Sequence, residues 1–592
     1  MTDILLIDNH DSFTHLLADL IHRASGIAPR IVPNDAPESE LDLHHADLIV
    51  VSPGPGAPTR ELLGASAAAI EQSTIPVFGV CLGHQAIAHL AGAEFRRSPF
   101  PMHGRESLVR HCGTGIFADL PSPLPVIRYH SLDITEHPTV NVLARADDGT
   151  IMAIAHRHKP QWGVQFHPES IGTAHGIQLI QNLLVEAGIT QRWHRRETAL
   201  IPPEQVAASW SHYPYLCWLD TATEDGPHLL AAGSKLVSLP DIPRVVLTAD
   251  SAVAPTFVPG AIGVLSYEAS ALVDGGVVVD KLLAPEIVYQ IVQGRAYLLT
   301  PDAQRGHTLT PAPVTPATVH AEPTMRHSRE QYRELISRCQ EEIAAGNSYE
   351  LCLTTAAAAE VGSDIDPLGW YVALRQLAPS PMAGFYRCPE QAVLSASPER
   401  FLEVKNGVAR ACPIKGTRSR AADPIRDAAL VAELASAEKD RAENLMIVDL
   451  LRNDLARTCT DISVPELCAV HTFSHAHQLI STISGRVRPG VRTYEVIQSA
   501  FPGGSMTGAP KQSSMEILSG LEQAPRGNYS GIMGYISADG AADFSILIRT
   551  ITLAGAWAHY GAGGAITALS DPDEEYDEVL VKMRPFFELL QS

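Results

Sequence analysis

The first hydrophobic run of the chain, Ile4-Leu5-Leu6-Ile7 closing on Asp8, is short and continuous. That pattern predicts a strand covered on both faces. From Phe13 to Ala24 the apolar residues fall at helical spacing instead. A second continuous run, Leu48-Ile49-Val50-Val51, ends in Ser52-Pro53-Gly54-Pro55-Gly56. A third, Pro76 to Val80, leads straight into Cys81-Leu82-Gly83-His84-Gln85 and a further helical pattern. Strands alternating with helices predict a doubly wound, mostly parallel α/β sheet for residues 1–190.

Beyond this domain the pattern changes. Residues 191–205 hold Arg192, Arg195, Arg196, Pro202 and Pro203 and read as an interdomain connector. Residues 300–327 are rich in Pro, Thr and Ala, which predicts a mobile surface linker. Ala432 to Leu451 reads as one long helix. On it Asp440 and Glu443 stand three apart and share a face. A helix near the terminus repeats the spacing with Glu575 and Glu578, and Lys582 lies one turn further on.

Composition narrows the class. The 592 residues are 45% hydrophobic, enough for two to four globular domains. The formal charge of −22 argues against a general binder of nucleic acid or anionic membrane. Nine scattered cysteines with no CxxC pair indicate neither a zinc site nor a disulfide framework, and fit a reducing cytoplasm. No signal peptide and no apolar run of membrane-spanning length is read. No oligomeric state is fixed, and a monomer fits as well as an assembly.

Several residues carry candidate chemistry. Cys81 falls on a strand-to-helix elbow at the carboxyl end of a strand, where the helix amino terminus favours a thiolate. In Gly163-Val164-Gln165-Phe166-His167-Pro168-Glu169, His167 and Glu169 are two apart and would share a face in a strand, although Pro168 permits another path. Cysteine, histidine and glutamate together form a nucleophile, a base and its orienter. Far along the chain, Glu399 in Ser397-Pro398-Glu399-Arg400-Phe401 and Lys415 in Pro413-Ile414-Lys415-Gly416-Thr417 sit beside turn residues. Burial would disfavour the ammonium form of Lys415 and make it a nucleophile, with Glu399 moving a proton. The plainer reading is a surface lysine and a glutamate paired with Arg400.

The first domain closely resembles a class I, triad-type glutamine amidotransferase. The resemblance implies Cys81 as nucleophile, His167 as base and Glu169 as orienter. It implies an oxyanion loop at Gly54 and Gly56, and glutamine-binding positions at Leu82, Gln85, Ser131 and Leu132. From Val206 to residue 592 the chain resembles the chorismate-utilising enzymes, and specifically the aminodeoxychorismate synthases, which implies a large α+β chorismate-binding domain. In that family Lys415 is the lysine that attacks the chorismate ring, whereas anthranilate synthases typically carry alanine there. The resemblance implies chorismate contacts at Thr417, Thr507, Gly508, Tyr529, Arg549, Gly561, Ala562, Gly563 and Lys582. It also implies Mg²⁺, with Glu443 and Glu578 as ligands and Asp440 and Glu575 as nearby carboxylates reached through water.

Two departures stand out. Gln478 replaces a histidine of several relatives, leaving His477 as the substitute for proton transfer. Glu350 holds a position that is lysine in water-adding relatives and glutamine in anthranilate synthases, which counts against isochorismate formation. The expected function is glutamine-dependent conversion of chorismate to 4-amino-4-deoxychorismate and glutamate, for p-aminobenzoate and folate or for a specialised antibiotic-type metabolite. Ammonia would pass between the two sites along a protected route, and a lyase would act on the product. The near alternative is an anthranilate or 2-amino-2-deoxyisochorismate synthase; a silent regulatory fusion is the distant one.

Overall fold

The computed structural model describes residues 2–221, 227–249, 253–270, 281–301, 307–473 and 476–591. Two units divide the chain, residues 1–192 and 193–592.

In the first unit the continuous apolar runs become the strands β1 (Ile4–Asp8), β3 (Leu48–Val51) and β4 (Val77–Val80). With β2 (Arg30–Pro33) and β9 (Gln161–Val164) they pair in parallel. Ile4 to Ile7 are fully buried, as a strand covered on both faces must be. The antiparallel strands β5 (Phe95–His111), β6 (Leu124–Ile134), β7 (Val140–Ala146) and β8 (Ile151–His156) extend the sheet to the order β2-β1-β3-β4-β9-β8-β7-β5-β6. Helices α1 (Thr14–Ser25), α2 (Leu82–Leu90) and α3 (Gly176–Glu186) belong to the same unit. Helix α2 lies almost on the sheet backbone: a Cβ on Gly83 would stand 2.4 Å from the Val51 carbonyl oxygen. That close approach fixes the elbow at Cys81.

The second unit is built on two sheets whose pairings are antiparallel throughout the described residues. The expected connector is in fact part of one of them. Strand β10 (Thr190–Thr198) pairs antiparallel with Arg295–Pro301, and Pro203–Ser209 is helical. Trp193, fully buried, anchors that strand in the core. The expected mobile linker is likewise tied down. Leu309, Val314, Ala317 and Val319 pack against the main core, and the Ala312 and Ala321 amides donate to the Gln205 and Leu590 carbonyls. Proline and threonine here mark extended backbone without a ladder, not mobility.

The site-bearing strands are β11 (Glu350–Glu360), β12 (Arg400–Lys405), β13 (Ile414–Ser419), β14 (Ala476–Val487) and β15 (Trp557–Ile566). The single helix expected over Ala432–Leu451 is two. It breaks at Ala437 (φ −65°, ψ 104°), and the carboxylate-bearing part is α4 (Glu438–Ala456). Glu438 and Asp440 in its first turn complement a new helix amino terminus. Helix α5 (Lys511–Glu522) follows the glycine-rich stretch, and α6 (Pro572–Leu589) packs on β15.

Candidate active sites

Cys81 caps the amino end of α2 with φ 52° and ψ −100°, a strained conformation for a residue with a side chain. Such strain at a strand-to-helix turn is the geometry of a nucleophile elbow, and the Cys81 side chain is buried there. His167 lies beyond the end of β9, outside any strand as Pro168 permits, and its Nδ1 stands 2.6 Å from Glu169 Oε1. Burial alone would lower the His167 pKa; the neighbouring Cys81 sulfur and the Glu169 carboxylate outweigh it and push the ring up to about 10. His167 Nε2 has no hydrogen-bond partner, so the Glu169 contact is the one fixed by distance. The rings of Phe13 and Tyr129 meet His167 edge-on at 5.7 and 5.1 Å and hold its plane.

The glutamine-binding positions converge on this thiol. Gln85 Nε2 donates to the Leu132 carbonyl at 3.0 Å and to Gln165 Oε1 at 3.0 Å. Gln165, fully buried, donates in turn to Cys81 Sγ at 3.5 Å. Sequence reasoning passed over Gln165, although it stands inside the quoted His167 segment. The Gly54 loop is laid against Leu82, where a Cβ on Gly54 would come within 2.8 Å of Leu82 Cδ2. Asn9, also unforeseen, fastens that region by hydrogen bonds with Ser52, Asn34 and Ser66. Gly56 has φ +89°. The Ser131 hydroxyl is exposed and meets His103 Nε2 at 3.3 Å.

In the second unit the Lys415 side chain is only 12% exposed, which removes the reading of a surface lysine. Its Nζ donates to Glu350 Oε1 at 2.9 Å and lies 3.9 Å from Glu443 Oε2. The expectation of a neutral amine fails. Burial alone would lower the lysine pKa, but the Glu350 and Glu443 carboxylates outweigh it and hold it well above the ordinary lysine value. Glu350, rather than Glu399, is the partner in hydrogen-bond reach. The second Glu350 oxygen is buried without a partner.

Glu399 is separately buried. Burial, only partly opposed by Lys415 and by hydrogen bonds from Ile414 and Ser505, raises its pKa to about 7. It is not the partner of Arg400, whose guanidinium pairs with both oxygens of Asp543 at 2.8 and 3.1 Å. The glycine-rich stretch Phe501–Lys511 runs against β11 beside Glu350. The Cys352 amide donates to the Thr507 carbonyl at 3.0 Å, and Gly508 pairs with Leu351. Gly508 has φ +137°, and a Cβ there would stand 2.1 Å from the Glu350 carbonyl oxygen, so only glycine fits. Thr507, Gly508, Glu350 and Lys415 are thereby gathered.

On the far side, Lys582 Nζ donates to the Gly563 carbonyl at 2.8 Å and pairs with Glu578 at 2.7 Å. The Tyr529 ring lies flat against β15, where a Cβ on Gly561 would be 2.2 Å from its Cγ. Arg549 has φ 49°, and its side chain is exposed, with no carboxylate partner among the described residues. A free guanidinium of this kind can take a substrate carboxylate through two hydrogen bonds. Thr417 is exposed on β13, opposite Gln478. His477 has both ring nitrogens engaged, by Thr472 Oγ1 at 2.8 Å and Asp427 Oδ1 at 3.0 Å, and is no free proton carrier.

The carboxylates divide into two kinds. Asp440 accepts from Arg418 at 3.2 Å, and Glu575 accepts from Ser570 at 2.7 Å with Lys439 3.6 Å away. Glu443 accepts no hydrogen bond among the described residues, and burial raises its pKa to about 7. No group of three or more metal-ligating side chains forms among the described residues. A cavity of about 1160 Å³ also lies in this unit, lined by Leu219, Met382, Arg400 and Asp543 among others, and Lys415 is not part of its wall.

The first unit thus carries a cysteine, histidine and glutamate triad at a strand-to-helix elbow, and the second a largely buried lysine held between two carboxylates. Residues 5–187 match the model of class I glutamine amidotransferases, and residues 246–588 match that of chorismate binding enzymes. The aminodeoxychorismate synthase of Streptomyces griseus is 39% identical, over 99% of this chain and 95% of its own length. That of Streptomyces pristinaespiralis is 40% identical, over 98% and 95%. Among solved structures, the menaquinone-specific isochorismate synthase MenF of Escherichia coli has a TM-score of 0.55 at 18% identity, covering 68% of this chain and 95% of that one. This likeness concerns the fold alone. The chain belongs to the aminodeoxychorismate synthase family, in the fused form that carries both activities on one polypeptide. Among the described residues no helix is long and apolar enough to cross a membrane.

Proposed function

We infer that the chain makes 4-amino-4-deoxychorismate and glutamate from chorismate and glutamine. The observation that carries this reading at the second site is the largely buried Lys415 at 2.9 Å from Glu350. At the first site the Cys81 sulfur attacks the glutamine carboxamide, and His167, steered by Glu169, delivers a proton to the departing ammonia. Water then releases glutamate from the thioester. Gln165 and Gln85 order the pocket around the sulfur.

At the second site Lys415 starts as an ammonium, so its proton must leave before it can attack. Glu350 is the acceptor in reach. The neutral amine adds at C2 of chorismate, the ring double bond shifts, and the 4-hydroxyl departs with the proton that Glu399 holds near neutral pH. Ammonia adds at C4 and Lys415 leaves C2. Arg549 and the Thr507–Gly508 backbone orient the substrate.

Magnesium fits two of the four candidate carboxylates. Mg²⁺ commonly takes one or two protein carboxylates and completes its shell with substrate and water. Glu443, largely buried, accepts no hydrogen bond among the described residues, and Glu578 on α6 is held only through its pair with Lys582 at 2.7 Å. Asp440 and Glu575 are engaged by Arg418 and Ser570. Bound Mg²⁺ would neutralise a carboxylate of chorismate. The product is the precursor of p-aminobenzoate once a lyase removes pyruvate, and a cytoplasmic setting suits these substrates.

The test is chromatography of the products from chorismate, glutamine and Mg²⁺. Aminodeoxychorismate is expected. Anthranilate or 2-amino-2-deoxyisochorismate as the main product would overturn the reading.

A further inference from the structure

We propose that the buried Lys511–Asp454 ion pair is a positioning device for the chorismate site, locking the glycine-rich stretch 501–511 to the carboxylate-bearing helix α4. The inference rests on the reading of that stretch as the chorismate loop. Lys511 opens α5, and its ammonium has three hydrogens to donate. All three are spent on protein: Asp454 Oδ2 at 2.6 Å, the Ala500 carbonyl at 3.0 Å and the Pro502 carbonyl at 2.9 Å. Both side chains of the pair are nearly buried, 10% and 5% exposed.

Asp454 lies in the last turn of α4, about three helical turns or roughly 16 Å along the axis from Glu443. It acts on the site only through what it holds. The two carbonyls that Lys511 grips flank Phe501, whose ring meets Phe401 edge-on at 6.2 Å, two residues past Glu399. One ammonium therefore sets the start of the loop, the aromatic contact beside Glu399 and the far end of the helix that bears Glu443.

The middle of the loop is held in the same manner. Arg526 has five N–H donors. They meet Glu522 through Oε1 at 2.7 Å and Oε2 at 2.9 Å, the Met506 carbonyl at 2.6 Å, the Cys352 carbonyl at 2.9 Å and Ser530 Oγ at 3.4 Å. Met506 precedes Thr507, and Cys352 lies on β11 two residues from Glu350. The loop thus hangs between two buried cations whose donors are fully used on protein. Neither has one to spare for substrate, which makes them positioning residues and not catalytic ones.

The test separates positioning from folding by removing the charges together. A single loss leaves an unpaired buried ion, whereas replacing both partners by apolar groups is often neutral for stability. The double variant Lys511→Met/Asp454→Leu and the shape-preserving Asp454→Asn are made in the full chain. Melting temperature, glutaminase turnover and ammonia-dependent synthesis are measured for each. The double variant is expected to melt near the parent and keep its glutaminase. Its chorismate KM should rise on the order of tenfold, with kcat changed by less than about threefold, the mark of lost binding geometry. Asp454→Asn should raise KM by a smaller factor in the same direction. Parental KM in either folded variant overturns the proposal, as does a KM that merely follows the melting temperature. Thr507→Val is run beside them. If it alone raises KM, the loop reading stands and the clamp falls; if no variant raises KM, the loop reading falls with it.

Discussion

Glu350→Gln tests the proton path at its narrowest point. The Glu350 carboxylate stands 2.9 Å from Lys415 Nζ. At an effective dielectric constant of about 20, a unit charge at that distance is worth about 6 kcal/mol to the ammonium. At about 1.4 kcal/mol per tenfold in proton affinity, its loss lowers the Lys415 pKa by as much as about four. Glu443, at 3.9 Å, remains and contributes about 4 kcal/mol on the same scale. The variant lysine therefore drops from well above the ordinary lysine range into or below it, while losing the group that takes its proton.

The two effects oppose each other, and their pH dependence tells them apart. Near neutral pH the missing acceptor should dominate, cutting ammonia-dependent synthesis by about 10²- to 10⁴-fold. As pH rises, more of the variant amine is neutral without help, so the ratio of variant to parent rate should climb. The assay follows aminodeoxychorismate from chorismate, Mg²⁺ and added ammonia, normalised to free NH₃, between pH 7 and 9.5. A parental rate at every pH would refute the role of Glu350. A loss that stays constant with pH would show a packing defect and refute it equally.

The remaining predictions address each site in turn. Cys81→Ser should abolish glutamine-dependent synthesis and spare synthesis from ammonia, since the thiol serves only amide hydrolysis; loss of both in folded protein would contradict the separation. Glu443→Gln and Glu578→Gln should each raise the Mg²⁺ concentration for half-maximal synthesis while glutaminase persists, because the amide keeps the shape and removes the charge. An unchanged magnesium titration in both would exclude them as ligands. Glu399 is protonated below about pH 7 and ionised above it. As the acid it is competent on the low side, so NH₃-normalised turnover should fall above pH 7, and Glu399→Gln should lose that limb; the limb's survival would assign it to another group. Glu443 ionises only above about pH 7. Magnesium should therefore be needed at higher concentration as pH falls below 7, and a flat dependence would count against Glu443.

The first unit was legible because its signals are local. Buried parallel strands read as continuous apolar runs, and the elbow at Cys81 follows directly from one of them. Gln165 was not separable in the same way: its place beneath the sulfur depends on how β9 ends, and one glutamine in a loop carries no period. In the second unit the residues that matter are distant in the chain. Lys415 and Glu350 are 65 positions apart and meet through sheet geometry that no spacing encodes. The expectation of a neutral lysine failed for this reason, since burial was visible in principle and its two carboxylate neighbours were not. The supposed connector and linker misled because arginine, proline and threonine signal surface on average, while Trp193 and Leu309 bind those segments to the core. The break at Ala437 went unseen because alanine is the strongest helix former and the interruption comes from tertiary context.

The claim on which the account turns is that Lys415 bonds to the substrate ring. The direct measurement is mass spectrometry of protein quenched with chorismate and Mg²⁺ in the absence of ammonia, with peptide mapping of the adduct, in the parent and in Lys415→Ala. The account predicts a chorismate-derived adduct, less one water, on Lys415 in the parent, no adduct in the variant, and a sharp loss of aminodeoxychorismate. An adduct on another residue, or undiminished aminodeoxychorismate from Lys415→Ala, would contradict it.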